Sequence, residues 1–143
     1  MAFVSVTRLR VRSIWYFLPF SLATWRSRDQ LRHAPGFIEG RLTIEFPFAF
    51  WTMTIWKSQE DMRRFRNAPP HLEAMRRLPH WCDEASYVHW EQGDTQLPPI
   101  DEAYLLLRNQ GITSKVTHPT AAHAAGQTTS SKKPRPAKTF RAM

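Results

Sequence analysis

The chain has 143 residues, 42% of them hydrophobic and 13% aromatic, which is enough for one packed domain and too short for two. Its net charge of +8 suggests nucleic acid until it is divided: residues 1–111 carry 14 Lys and Arg against all 12 acids, leaving +2, whereas residues 112–143 carry six and no acid. The single cysteine, Cys82, excludes an internal disulfide and is consistent with a reducing cytoplasm, and no apolar run approaches the roughly 20 residues of a membrane span.

Met1 to Arg12 alternates as a strand, with Phe3, Ser5, Thr7, Leu9 and Val11 on one face and Val4, Val6, Arg8, Arg10 and Arg12 on the other. The arginines suit either a solvated strand end or a site for a carboxylate or phosphate. Arginines followed by an apolar run from Ile14 to Ala23 also have the order of parts of a secretory signal peptide. Pro19 interrupts that run, and the strand-like alternation before it speaks against the idea. A helix is expected from about Pro19 to Arg32, ended by Ala34-Pro35-Gly36, with Phe20, Thr24, Ser27 and Leu31 on one face. That face serves either as a thin core contact or as one wall of a pocket.

Phe37 to Phe46 alternates again, with Ile38, Leu42, Ile44 and Phe46 against Glu39, Arg41, Thr43 and Glu45. Pro47 marks a turn, and Phe48 to Trp56 is apolar on both faces. Such a strand must be covered twice, and in a chain this small a partner subunit is the economical second cover, which predicts a homodimer. Ser58, followed by Glu60 and Asp61, is a good helix start; Asn67-Ala68-Pro69-Pro70 breaks that helix. It restarts near Pro70 with His71, Met75 and Leu78 on one face and ends at Pro79. Glu84 to Glu91 reads as the last strand, with Ser86, Val88 and Trp90 opposite Ala85, Tyr87 and His89. The order β-α-β-β-α-β is ferredoxin-like, an α+β fold. Pro98 and Pro99 open a further helix to about Asn109, whose Ile100, Ala103, Tyr104 and Leu107 suit packing on the sheet. The expected division is a domain over 1–111 and a disordered basic tail over 112–143.

His71 is the outstanding polar residue. At a helix start, facing inward beside Met75 and Leu78, its imidazolium is disfavoured by burial and by the positive helix end. The neutral ring left is what a general base or a metal ligand requires, although a core histidine bonded to backbone is the plainer reading. His89, beside Tyr87, is placed to line an interior or an interface. His80, His89 and Glu84 have no metal-motif spacing, so no metal site is expected from them. Cys82 has no basic neighbour to activate it and reads as structural. Trp51, Trp56, Trp81 and Trp90 suit the core; clustered beside His71 they would also form a flat wall for a polyene, porphyrin or polycyclic ligand.

The stretches VSVTRLRVRS at 4–13, QLRHAPGF at 30–37, FWTMTIWKSQEDMRRF at 50–65, PHLEAM at 70–75 and WCDEASYVHW at 81–90 resemble an uncharacterised bacterial family. That family is grouped with spheroidene monooxygenase and, more distantly, the antibiotic-biosynthesis monooxygenases. The resemblance implies a dimeric α+β barrel and a monooxygenase-like oxidoreductase acting on an apolar aromatic or polyene substrate. Haem is one possible cofactor, and cofactor-free oxygenation is the other. The pocket would lie between sheet and helices, where His71, Trp56 and Arg8 or Arg10 converge, with the arginines meeting propionates if the ligand is haem. Haem-degrading members of the superfamily use an Asn, a Trp and a His. The Trp and His positions here are Phe65 and Met75, and no Asn precedes Asn67, so that mechanism is not expected. The competing reading is a non-catalytic module that binds haem or another hydrophobic ligand. A nucleic-acid role for Lys115, Lys132, Lys133, Arg135, Lys138 and Arg141 is the weakest, because no aromatics interleave them for stacking.

Overall fold

Alternating strands and two proline-punctuated helical stretches build one antiparallel sheet with helices on both faces. The computed structural model describes residues 1–142, and the side chains of 136–138 lie outside that description. In chain order the elements are β1 (Ala2–Val11), α1 (Ile14–Arg32), β2 (Phe37–Glu45), β3 (Ala49–Trp56), α2 (Gln59–Arg66), α3 (His71–Trp81), β4 (Cys82–Gln92), α4 (Ile100–Gln110), β5 (Ile112–Thr113), α5 (Ala121–Ala124) and β6 (Arg135–Arg141). The strands lie in the order β5-β4-β1-β3-β2-β6. The inner four, with α1 and the α2–α3 pair as crossovers, form the expected ferredoxin-like βαββαβ unit.

The register sorts the side chains. On one face Val4 lies opposite Ile55 and Trp90, and Val6 opposite Met53 and Val88. On the other, Ser5 lies opposite Thr54 and His89, and Thr7 opposite Thr52 and Tyr87. Helices α1–α3 cover this second face. The first is covered by α4, whose Ala103, Tyr104 and Leu107 pack into the cluster of Val4, Val6, Trp51, Met53 and Ile55. The doubly apolar strand β3 therefore finds its second cover within its own chain, so its composition does not require a partner subunit.

Three local expectations shift for physical reasons. Helix α1 begins at Ile14, ahead of Pro19, because Ser13 caps it: the Trp15 N–H donates to Ser13 Oγ at 3.3 Å, and the helix carries Pro19 within it. Pro79 is likewise inside α3, which runs on to Trp81. In β2 a bulge between Phe37 and Glu39 turns Ile38 out of the face it shares in a regular strand with Leu42 and Ile44. The buried side of β2 is then the polar one: Thr43 and Glu45 are buried while Ile44 and Phe46 are exposed. Glu45 is drawn inward by Arg8 and Trp51, which face it across the sheet.

The expectation of a disordered tail is overturned for the described residues. Ser114 N–H donates to the Ala85 carbonyl at 2.8 Å, Thr128 Oγ1 to the Leu107 carbonyl at 2.6 Å, and β6 extends the sheet antiparallel to β2. The Phe140 ring stacks on Phe37 at 5.9 Å and approaches Gly40 so closely that a Cβ there would sit 2.6 Å from it. The tail's basic composition hid this because its anchors are single hydroxyls and one ring, without any period. Lys133 reaches Asp101 and Arg141 reaches Glu39, both at 3.5 Å. The Lys138 side chain and Met143 lie outside the described residues.

Candidate functional site

Between the sheet and α1–α3 lies a cavity of about 440 Å³, a volume typical of small-molecule sites. Its floor is the small, polar face of the strands, Ser5, Thr7, Thr52 and Thr54; its roof is Phe20, Ala23, Thr24 and Ser27 of α1 and Ala74, Met75 and Leu78 of α3. Threonine and serine leave space where α4's face is filled by valine, isoleucine and tryptophan. Trp56, fully buried, closes one side, its Nε1–H donating to Thr54 Oγ1 at 3.0 Å. Its ring meets Phe65 at 5.4 Å, and Phe65 meets the His71 imidazole at 4.7 Å.

His71 is the first residue of α3 and lines the cavity with Met75 and Leu78, as the spacing predicts. Its Nδ1–H donates to the Arg66 carbonyl at 3.3 Å. Burial lowers its pKa first; the carbonyl opposes that and the Arg66 charge adds to it, so the ring is held neutral. His89, on the adjoining strand, sits against Phe3 and Tyr87 at 5.3 and 5.1 Å. Its pKa is also lowered, by burial and then by the charges of Arg66 and Arg63. Arg28, Arg66 and Lys115 reach the cavity wall, and among the described residues no carboxylate does. Two neutral imidazoles in a positive field can accept a proton from a bound acid, and the cations favour the anion that remains.

The structure thus brings together His71, Trp56 and His89. It does not bring Arg8, Arg10 or Trp51 to them, because even-numbered residues of β1 and odd-numbered residues of β3 face α4. Arg8 is neither solvated nor an anion site: it is 2% exposed and locked between two acids. Its Nε and Nη2 donate to Glu45 at 3.0 and 2.8 Å, and its Nη1 to Glu84 at 2.7 Å. Trp51 Nε1–H and Ser130 Oγ donate to the same Glu45, and Thr120 Oγ1 to Glu84. Burial opposes the charge on Glu45, yet Arg8 outweighs it and, with Ser130 and Trp51, holds the carboxyl below its usual range. Arg10 pairs with Asp83. Cys82 is buried, its thiol pushed up to about 12 by desolvation and Asp83, as a structural cysteine should be. Among the described residues no group of three metal-ligating side chains occurs.

Sequence reasoning missed Gln30. Its Oε1 accepts the His71 backbone N–H at 2.9 Å, while its Nε2 donates to the Phe65 and Ala68 carbonyls, each at 3.2 Å. One side chain of α1 therefore satisfies the broken ends of α2 and α3 and fixes where His71 starts. Nothing local marks it, since the partners lie 35 to 41 residues away. Arg66 was hidden in an arginine-rich helix end that reads as solvated, and Lys115 in the tail.

Residues 21–77 match the model of the antibiotic biosynthesis monooxygenase family. Over that segment, about two fifths of the chain, the sequence is similar to that family. The segment contains Gln30, Trp56, Phe65, Arg66, His71 and Met75, most of the cavity's helical roof. Solved structures share the fold at low identity. SnoaB, a cofactor-independent oxygenase from Streptomyces nogalater, is 18% identical, with 66% of this chain and 95% of that one covered at a TM-score of 0.54. Rv0793 from Mycobacterium tuberculosis is 10% identical, with coverages of 66% and 97% and a TM-score of 0.60. A conserved protein from Methanosarcina mazei is 14% identical, with coverages of 65% and 94% and a TM-score of 0.58. No curated protein matches the chain.

Proposed function

We propose that the cavity between the sheet and α1–α3 binds an apolar aromatic or polyene molecule and that the protein oxygenates it with dioxygen, one atom entering the substrate and the other leaving as water, a hydroxylated aromatic itself supplying the electrons. The observation that carries this reading is the neutral His71 on the wall of an aromatic-lined cavity, within the field of Arg66. His71 takes a proton from an acidic C–H or O–H of an aromatic substrate through Nε2, its Nδ1–H remaining on the Arg66 carbonyl. Arg66, Arg28 or Lys115 stabilises the resulting anion, and Trp56 and Phe65 hold the ring. The family match over 21–77 and the likeness to a cofactor-independent oxygenase support the reaction class. Polyenes enter through the finer resemblance to spheroidene monooxygenase; a polyene has no acidic proton to lose, so its oxygenation would need an external two-electron donor, and His71 would orient it. A homodimer belongs to this reading on the resemblance alone, and light scattering decides it.

A specific observation favours a second reading, a non-catalytic binding module. An imidazole that donates through one nitrogen to a carbonyl and keeps the other for a ligand is arranged as metal-bound histidines are. The residues would therefore suit haem, with His71 as a nitrogen donor to the iron and Arg28, Arg66 and Lys115 toward its carboxylates; bound haem would supply iron-centred oxygen chemistry. Oxygen uptake with a panel of hydroxylated polycyclic aromatics and polyenes, with isotopic oxygen traced into product, tests the first reading. Turnover that disappears in His71→Ala supports it. Saturable binding, of haem by its Soret band or of an aromatic by fluorescence, without turnover favours the module, and neither binding nor turnover rejects both.

A further inference from the structure

Helix α1 has an outer face that its own domain does not use. Ile14, Leu18, Leu22 and Trp25 recur at i, i+4, i+8 and i+11, and Trp15 lies on the same side. All five are exposed, Trp15 by 82% and Trp25 by 66%. Exposed tryptophans at both ends of a leucine stripe are costly in water and suit an interface that is apolar below and wet above. The charges of α1 are mostly basic, Arg26, Arg28 and Arg32 against the exposed Asp29 one turn past Trp25. No acid occurs before Asp29, and the three helices of this layer carry eight arginines against four acids, with Arg26, Arg63, Arg64, Arg76 and Arg77 exposed. A second copy seated on the stripe would bring two cationic helical layers together. An anionic lipid surface complements the same charges and receives the tryptophan and leucine side chains. Among the described residues no helix is long and apolar enough to cross a membrane, so α1 would lie on the surface rather than span it.

We propose that the outer face of α1 docks the protein on anionic lipid bilayers, with Trp15, Leu18, Leu22 and Trp25 at the acyl boundary and Arg26 among the headgroups. The inner face of the same helix supplies Phe20, Ala23 and Thr24 to the cavity roof, so docking sets the cavity against the bilayer. The docking does not depend on the reaction proposed for that cavity.

Co-sedimentation of the full chain with sucrose-loaded vesicles tests it, using phosphatidylcholine alone and phosphatidylcholine mixed with phosphatidylglycerol. Sedimentation is expected with the mixed vesicles and not with phosphatidylcholine, weakening as salt rises. Arg26→Gln should lower the affinity about fivefold. Trp15→Ser/Trp25→Ser should lower it more than about tenfold with the far-ultraviolet circular dichroism unchanged. Leu22→Asp, a single change at an exposed site, gives the same readout if the double variant folds poorly. Three results would overturn the proposal. These are no sedimentation with either vesicle, sedimentation undiminished by the stripe variants, or a lipid-free mass by light scattering that falls when the tryptophans are replaced, which would make the stripe a self-association surface.

Discussion

The two faces of the sheet are built from alternate residues of the same strands and treat polarity in opposite ways. The α4 face buries charge and closes it completely around Arg8: every oxygen of Glu45 and Glu84 has a partner, and the last partners, Ser130 and Thr120, come from the tail. The α1–α3 face leaves a cavity, keeps its two histidines neutral and brings no carboxylate among the described residues to pair its cations. A buried arginine with its carboxylates satisfied has nothing left for a ligand, whereas neutral imidazoles beside cations do. Burial of a charged residue is thus evidence for structure on one face, and burial of an uncharged titratable residue is evidence for function on the other.

The sharpest way to break this comparison is Arg8→Met. Removing one partner of a buried pair should cost about 3–5 kcal/mol, because Glu45 is left charged and unpaired. Urea denaturation measures it, and ligand affinity per folded molecule should not change; a loss of affinity would place Arg8 in the site after all. His71→Ala should show the reverse pattern, with turnover falling about 10²–10⁴-fold and stability moving by no more than about 1 kcal/mol. Gln30→Ala lies between the two: it leaves two carbonyls and one N–H without their side-chain partner and should cost about 1–3 kcal/mol. It should also move the His71 titration, followed by proton NMR, which a purely structural residue on the α4 face would not do.

The smallest effect expected is in the pH dependence of stability. His71 and His89 have folded pKa values below the ordinary 6.5, so the unfolded chain takes up protons first and stability falls as pH drops below about 6.5. Glu45 and Glu84 are also lowered, from 4.5, so their contribution is present above that value and is lost as pH falls further. Urea midpoints should therefore decline in two windows, and His71→Gln with His89→Gln should flatten the upper one alone. Flattening of the lower window instead would reverse the assignment of the two faces.

Much of the fold was legible because its signals are local. Strand alternation placed Ser5, Thr7, Tyr87 and His89 on one face and Val4, Val6, Val88 and Trp90 on the other. The proline break at 67–70 put His71 at a helix start beside Met75 and Leu78. The site was half legible: Trp56, His71 and His89 converge, while Arg8, Arg10 and Trp51 were assigned to the wrong side of the sheet. Alternation says which residues share a face but not which face stays open, since that depends on the volume of what packs against it.

By itself, then, the sequence determined the order of the elements, the face each side chain takes and the neutral state of His71, because each rests on spacing and burial within a few turns. Only the tertiary structure decided that α4 seals one face, that Gln30 ties the broken helix to α1, and that the tail completes the Arg8 network. Those contacts join groups 26 to 85 residues apart, whose meeting depends on how the chain closes in space. No periodicity along the chain records that closure.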